Sequence, residues 1–282
     1  MPPSPLSGLS AIAGDYEAIL CDVWGVVHDG LSPHEAATDA LRRFRERGPV
    51  ILMTNAPRPS GAVAEQLAAI GTPREAFDAI VSSGDVVRRH LVEAGAERVL
   101  HVGADRDLGL YADGMALVDG VDRADMVVLA GLVDDKTETP DDYRALMDEV
   151  AASGLPVVCA NPDIVVERGD RLVHCAGALA ALVEAAGGTV RQFGKPHPPI
   201  YRAALAAVAE RAPSATRVLV IGDGLPTDIR GADNEGLDAL FVTGGIHAED
   251  FGDPGAPDAA KVAERLAREG LSVAHYAPRL AW

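Results

Sequence analysis

Four short apolar runs, each closed by a polar residue, limit what this chain can fold into more than any other feature. Ile19-Leu20-Cys21 ends at Asp22, Val50-Ile51-Leu52-Met53 at Thr54-Asn55, Ala79-Ile80-Val81 at Ser82, and Val218-Leu219-Val220-Ile221 at Gly222-Asp223. Unbroken runs of this length suit strands buried on both faces, as in parallel sheets covered by helices. Helical patterns separate them. Ala37, Ala40, Leu41 and Phe44 share one face, as do Val63, Leu67 and Ile70, with Gly48 and Gly71 just past the helix ends. Ser32-Pro33-His34-Glu35 reads as a capping box opening the first of these helices. Strand and helix in alternation predict a doubly wound sheet.

After the third strand and a helix from about Gly84 to Glu93 the punctuation changes. A second alternating set follows: strands Val99 to Val102, Met126 to Ala130 and Pro156 to Ala160, with helices near Asp105 to Tyr111 and from Thr139-Pro140. A hairpin of Ile164 to Val166 with Arg171 to Val173, turning at Gly169-Asp170, leads to an alanine-rich helix through Glu184. The first rhythm resumes at Val190 to Phe193 and continues through a helix from Pro198-Pro199, the Val218 strand, a strand Ala239 to Val242 and a helix from about Ala259 to Arg268. The tail to Trp282 carries no assignment. The expected fold is therefore α/β: a Rossmann-like core of residues 1–86 and 189–282 interrupted by an inserted α/β domain of residues 87–188. At 282 residues and 48% hydrophobic, the chain is long enough for two cores.

Composition narrows the partners. Lys+Arg 25 against Asp+Glu 42 leaves −17, with no basic run to neutralise a phosphate backbone, which argues against nucleic acid. Cys21, Cys159 and Cys175 form no Cys-x-x-Cys pair and read as apolar fillers suited to a reducing cytoplasm. The start, Met1-Pro2-Pro3-Ser4-Pro5, lacks the pattern of a signal peptide, and no apolar run reaches the length of a membrane span. A soluble cytoplasmic protein without a membrane partner is expected.

Ligands of open parallel sheets bind at the carboxyl ends of the strands, so Asp22, Thr54 and Asp223 share a site if their strands are neighbours. Each alone has an ordinary reading as a cap or turn residue, and Lys195 as a solvated loop lysine. Together they match one chemistry. A carboxylate that attacks phosphorus needs positive charge to offset repulsion; Asp22, Asp223 and Asp228 offer hard oxygens suited to Mg²⁺, and Lys195 in Gly194-Lys195-Pro196 a fixed cation. Thr54 and the loop amides after Asp22 and Thr54 are donors for phosphoryl oxygens.

This ordered set resembles the haloacid dehalogenase superfamily of aspartate-nucleophile phosphohydrolases over nearly the whole chain. Asp22-Val23-Trp24-Gly25-Val26 looks like its first motif, Thr54-Asn55 its second, Gly194-Lys195-Pro196 its third, and Gly222-Asp223-Gly224 with Thr227-Asp228 its fourth. The insertion is similar to the type A class II cap of the pyridoxal phosphate, phosphoglycolate and p-nitrophenyl phosphatase branch. Ala160-Asn161-Pro162-Asp163 and Gly177-Ala178 resemble that cap's recurring segments. The resemblance implies Asp22 as nucleophile and metal ligand, Thr54 and Lys195 as phosphate binders, and Asp223 and the Trp24 carbonyl as metal ligands. Asp228 is a further ligand, direct or through water. Asn55 joins the substrate site, and Asn161 and Asp163 either close the cap over the leaving group or form an Asn-Pro-Asp turn. Mg²⁺ as cofactor, a small phosphorylated metabolite as substrate and a homodimer are also implied.

The departure is Trp24. The family's first motif carries a second aspartate there, which protonates the leaving oxygen and later deprotonates water; an indole N–H does neither. Losing a positioned acid-base group costs about 10²- to 10⁴-fold, roughly 3 to 5 kcal/mol of barrier. Three readings stand open: a substrate whose leaving group needs little protonation, another acid, or phosphate binding without turnover. His28 and Asp29 on the following loop are the nearest substitutes, and His197 reads as the start of the next helix. The expected function is a Mg²⁺-dependent phosphatase working through an aspartyl phosphate, weakened or substrate-restricted by Trp24. The rival is a non-catalytic phosphate-ligand binding or regulatory protein of the same fold. A dinucleotide site is set aside, since Gly222-Asp223-Gly224 lacks the third glycine and no Gly-Lys-Ser/Thr occurs.

Overall fold

The computed structural model describes residues 3–168 and 171–282, so the turn expected at Gly169-Asp170 lies outside the described residues, as do Met1 and Pro2. The chain divides into two compact units, residues 1–54, 64–81 and 201–282 in the first, residues 55–63 and 82–200 in the second.

The first unit is built on a seven-stranded sheet in the order Ser4–Pro5, His275–Ala277, Asp238–Val242, Val218–Gly222, Ala18–Asp22, Val50–Thr54, Ala79–Ser82. Neighbouring strands from Ser4–Pro5 through Val50–Thr54 run parallel. Val218–Gly222, Ala18–Asp22 and Val50–Thr54, consecutive in this order, are apolar runs of the sequence and are buried along their length, as suits interior strands of a sheet covered on both faces. Gly48 marks how tightly the first helix returns to the sheet, since a Cβ there would overlap the Glu17 carbonyl. Arg45, just past that helix, pairs with Asp78 at 2.7 Å, and the other Asp78 oxygen accepts the Val50 N–H at 2.8 Å.

Two expectations about this unit are corrected. The helix runs Glu35–Phe44 and does not open at Ser32. The Asp29 carboxylate accepts the N–H groups of Leu31 and Ser32, each at 2.8 Å, and draws Ser32 into a turn. The unassigned tail supplies the strand His275–Ala277, flanked by Asp238–Val242 and Ser4–Pro5.

The second unit holds a five-stranded parallel sheet, ordered Val190–Gln192, Val157–Cys159, Met126–Leu129, Arg98–Val102, Ala116–Val118, and a hairpin of Val165–Arg168 with Arg171–His174. Leu129, Cys159, Met147, Val150, Leu179 and Val183 form its core. Val190–Gln192 therefore pairs in this sheet and does not resume the first one; its alternation of half-buried and exposed residues suits an edge strand. Among the described residues no helix is long and apolar enough to cross a membrane.

In this unit Arg58 lies 3.6 Å from the Asp107 carboxylate, which is 3% exposed, and Arg106 bridges to Asp135 at 2.6 Å. Burial pushes the Asp107 carboxyl up to about 6, against the pull of Arg106 and Arg58. A native pKa above the unfolded value makes this group's contribution to stability full below the ordinary aspartate range and lost as pH rises through about 6. Asp107→Asn is expected to remove that slope, at most about 3 kcal/mol, from urea unfolding followed between pH 4 and 7. An unaltered slope would count against it.

Candidate active site

Strand register assembles the first half of the site. Asp22 lies opposite Met53, and Cys21 opposite Ile221, so Asp22, Thr54 and Asp223 leave three adjacent parallel strands at one carboxyl edge. All three are buried, and Asp228, in the π-helical turn Leu225–Ile229 that follows, is fully so. Carboxylate oxygens of Asp22, Asp223 and Asp228 lie within 4.8 Å of one another. Three buried like charges at that spacing repel, and an all-oxygen donor set is what a hard divalent cation requires. The residues present fit Mg²⁺.

Backbone groups hold each carboxylate in place. Asp22 Oδ1 accepts the Val23 N–H at 2.7 Å. Asp223 Oδ2 accepts the Ile246 N–H at 2.9 Å, and a Cβ at Gly245 or at Gly25 would overlap that same carboxylate. Asp228 Oδ2 accepts the Gly224 N–H at 3.1 Å, while the Tyr201 hydroxyl donates to the Asp228 carbonyl at 3.1 Å. Gly245, Ile246 and Tyr201 were not expected from the sequence. A signal was available for the first two: Thr243-Gly244-Gly245 closes the Asp238–Val242 strand as polar residues close the other four apolar runs.

After Asp22 the chain folds back at once. Val27 N–H donates to the Val23 carbonyl and Gly25 N–H to the His28 carbonyl, both at 2.9 Å, with Gly25 at φ +81°. The Trp24 indole is half-buried and meets the His28 ring edge-on, centroids 4.9 Å apart. Its benzo edge fills the space beside Gly30, where a Cβ would stand 2.8 Å from Cζ2. His28 Nδ1 accepts the Gly30 N–H at 2.8 Å, which leaves the proton on Nε2, and burial with nearby His34 pushes its pKa down to about 4. Asp29 is the acceptor of the Leu31–Ser32 turn, and those backbone bonds lower its pKa. The side chains of His28 and Asp29 are thus both engaged in shaping this loop.

Lys195, Asn55, Asn161 and Asp163 belong to the second unit. Lys195 is buried, and its N–H donates to Asn55 Oδ1 at 2.6 Å. Asn55 Nδ2 donates to Asp163 Oδ1 at 2.8 Å and to the Lys195 carbonyl at 3.1 Å. Asn161 Oδ1 accepts the Asp163 N–H at 3.1 Å, the bond of an Asn-Pro-Asp turn. His197 donates its N–H to the Gly194 carbonyl at 2.9 Å ahead of the helix Pro198–Arg211.

Comparison with known proteins matches residues 19–113 to the haloacid dehalogenase-like hydrolase family and residues 192–268 to a HAD-hydrolase-like family. A crystal structure of a haloacid dehalogenase-like hydrolase from Brucella suis 1330 is 42% identical with a TM-score of 0.85, all of each chain being covered. The D-glycerol 3-phosphate phosphatase of Mycobacterium tuberculosis is 30% identical over 245 residues, 85% of this chain; the chain spans 66% of that relative's length. A structure of glycerol phosphate phosphatase from that organism in complex with magnesium is 28% identical, with a TM-score of 0.63, over 85% of this chain and 71% of its own.

Gly25 offers a direct test of the carboxylate cluster. Gly25→Ala puts a methyl group against Asp223 at a positive φ, so loss of about 1 to 3 kcal/mol of stability is expected. The rise in Tm on adding Mg²⁺ should shrink with it, as read by scanning fluorimetry. A Mg²⁺ shift equal to wild type would contradict the arrangement.

Proposed function

The chain belongs to the haloacid dehalogenase-like hydrolases, in the branch with the type A class II cap, and from that premise we propose that it is a Mg²⁺-dependent phosphatase of a small phosphorylated metabolite. The observation that carries this is the buried cluster of Asp22, Asp223 and Asp228 at the carboxyl edge of the sheet, with Thr54 beside it. In this reading the cap is the insertion that begins near residue 87 and runs past 188 to take in the strand Val190–Gln192, which pairs in its sheet. The named activity of the mycobacterial relative supports a glycerol or sugar phosphate as substrate. The three buried free thiols suit the cytoplasm, and the resemblance to the capped branch supports a homodimer.

Asp22, Asp223, Asp228 and the Trp24 carbonyl would hold Mg²⁺, whose charge would let a carboxylate approach a phosphate dianion. The Asp22 carboxylate adds to phosphorus as the bond to the leaving oxygen breaks, giving an aspartyl phosphate. Water then attacks that phosphorus, the bond to Asp22 breaks, and inorganic phosphate and the free carboxylate return. Thr54 and the backbone donors after Asp22 bind phosphoryl oxygens, and Lys195 compensates their charge. Asn55 orders the phosphate site, with Asp163 and Asn161 behind it. Nothing at position 24 protonates the leaving oxygen. Turnover is therefore weak with alkyl phosphates and better where the leaving group departs as a stable anion.

Trp24 also favours a second reading, a phosphate-binding protein that does not turn over. A phosphate-release panel with Mg²⁺ separates the two. Asp22→Asn should abolish release, whereas equal slow release from Asp22→Asn and wild type would exclude the phosphatase. Trp24→Asp should raise alkyl phosphate hydrolysis about 10²-fold or more and aryl or acyl phosphate hydrolysis far less. A uniform change across leaving groups would remove the missing-acid account.

A further inference from the structure

Two segments that the sequence singles out separately meet at the side chain of a third. Asn55 is 4% exposed, and its amide takes the N–H of Lys195 on Oδ1 while Nδ2 serves both the Lys195 carbonyl and Asp163 Oδ1. We propose that Asn55 is a positioning residue that fixes the backbone of Lys195, and that Asp163 fixes Asn55 in turn. The role rests on the reading of Lys195 as the phosphate-binding lysine.

Only one orientation of the amide satisfies these bonds. Turning it over would set Oδ1 against a carbonyl and a carboxylate and Nδ2 against a donor. Asp163 supplies an ionised acceptor, the stronger kind of partner, and it removes the choice between orientations. With the N–H and C=O of Lys195 both tied to one buried amide, its backbone is held on two sides, as a residue is in a strand pair. A lysine side chain is long and flexible, so where its ammonium can reach is governed by how firmly its Cα is anchored.

The surrounding residues are shaped to this contact. A Cβ at Gly194 would overlap Asn55 Oδ1 and stand 2.6 Å from Pro162 Cδ. Gly177, at the start of the helix Ala176–Ala185, donates its N–H to the Asp163 carbonyl at 3.1 Å, and a Cβ there would overlap the Pro162 carbonyl. Asn161 holds the Asp163 N–H. Asn55, Asn161-Pro162-Asp163, Gly177 and Gly194-Lys195 thus form a single seat whose centre is an amide. On this account the side chains of Asn161 and Asp163 act on Lys195 through Asn55.

The test is calorimetric titration of the full chain with inorganic phosphate in the presence of Mg²⁺, for wild type, Asn55→Ala, Lys195→Ala and the double variant. Asn55→Ala should weaken phosphate about tenfold in the wild-type background and add nothing in the Lys195→Ala background. Equal losses in both backgrounds, or no loss in either, would overturn the proposal. Asp163→Ala, which removes only the outer partner, should weaken phosphate in the same Lys195-dependent way and serves if Asn55→Ala does not fold. A lowered Tm in these variants with unchanged phosphate affinity would reduce the amide to a structural role and also overturn it. Binding is read here without turnover, so a wild type that shows the coupling but releases no phosphate removes the phosphatase reading alone.

Discussion

Repulsion among three buried carboxylates is the constraint on which the rest of the first unit depends. Asp22, Asp223 and Asp228 sit within 4.8 Å of one another in a place that water does not reach freely. Such a cluster persists only where the backbone is made to hold it. Val23, Gly224 and Ile246 each give an N–H to one of these carboxylates. Glycine at 25, 222 and 245 keeps side-chain atoms out of the space that Asp223 and Asp228 need. The parallel register then matters for a simple reason, because it brings two strand ends and a π-helical turn to the same edge.

The second unit solves a different problem, that of holding one lysine. Here the partners are neutral or oppositely charged, and the means is hydrogen bonding to backbone, not repulsion met by a cation. Asn55 follows Thr54 directly in the chain, yet Thr54 groups with the first unit and Asn55 with the second. Neighbours in sequence therefore carry their contacts in different bodies.

Much of this was legible from the chain because burial on both faces writes itself as unbroken apolar runs. Asp22, Thr54 and Asp223 stood out as the polar residues that end such runs, and the parallel α/β fold followed from their rhythm. Short or alternating strands left no comparable mark. His275–Ala277 is three residues of mixed character, and Val190–Gln192 alternates, so the sheet that each joins was not readable. The Asn55 contacts were hidden for another reason. They join positions 108 and 140 residues apart, and no local pattern records a side-chain amide that bonds to a distant backbone. The Ser32 capping box failed through competition, since Asp29 accepts the Ser32 N–H that Glu35 would take in such a box.

The Trp24–Gly30 contact bears on how this chain can change. A smaller side chain at position 24 would vacate the space beside Gly30, leaving a glycine at φ +91° facing a void. Emptying a packed aromatic site destabilises by up to about 3 to 5 kcal/mol where it is fully buried and by less here. Positions 24 and 30 are thus linked: exchanging the indole for a smaller group loosens the loop after Asp22 unless position 30 gains bulk, and the +91° backbone at Gly30 resists that second change.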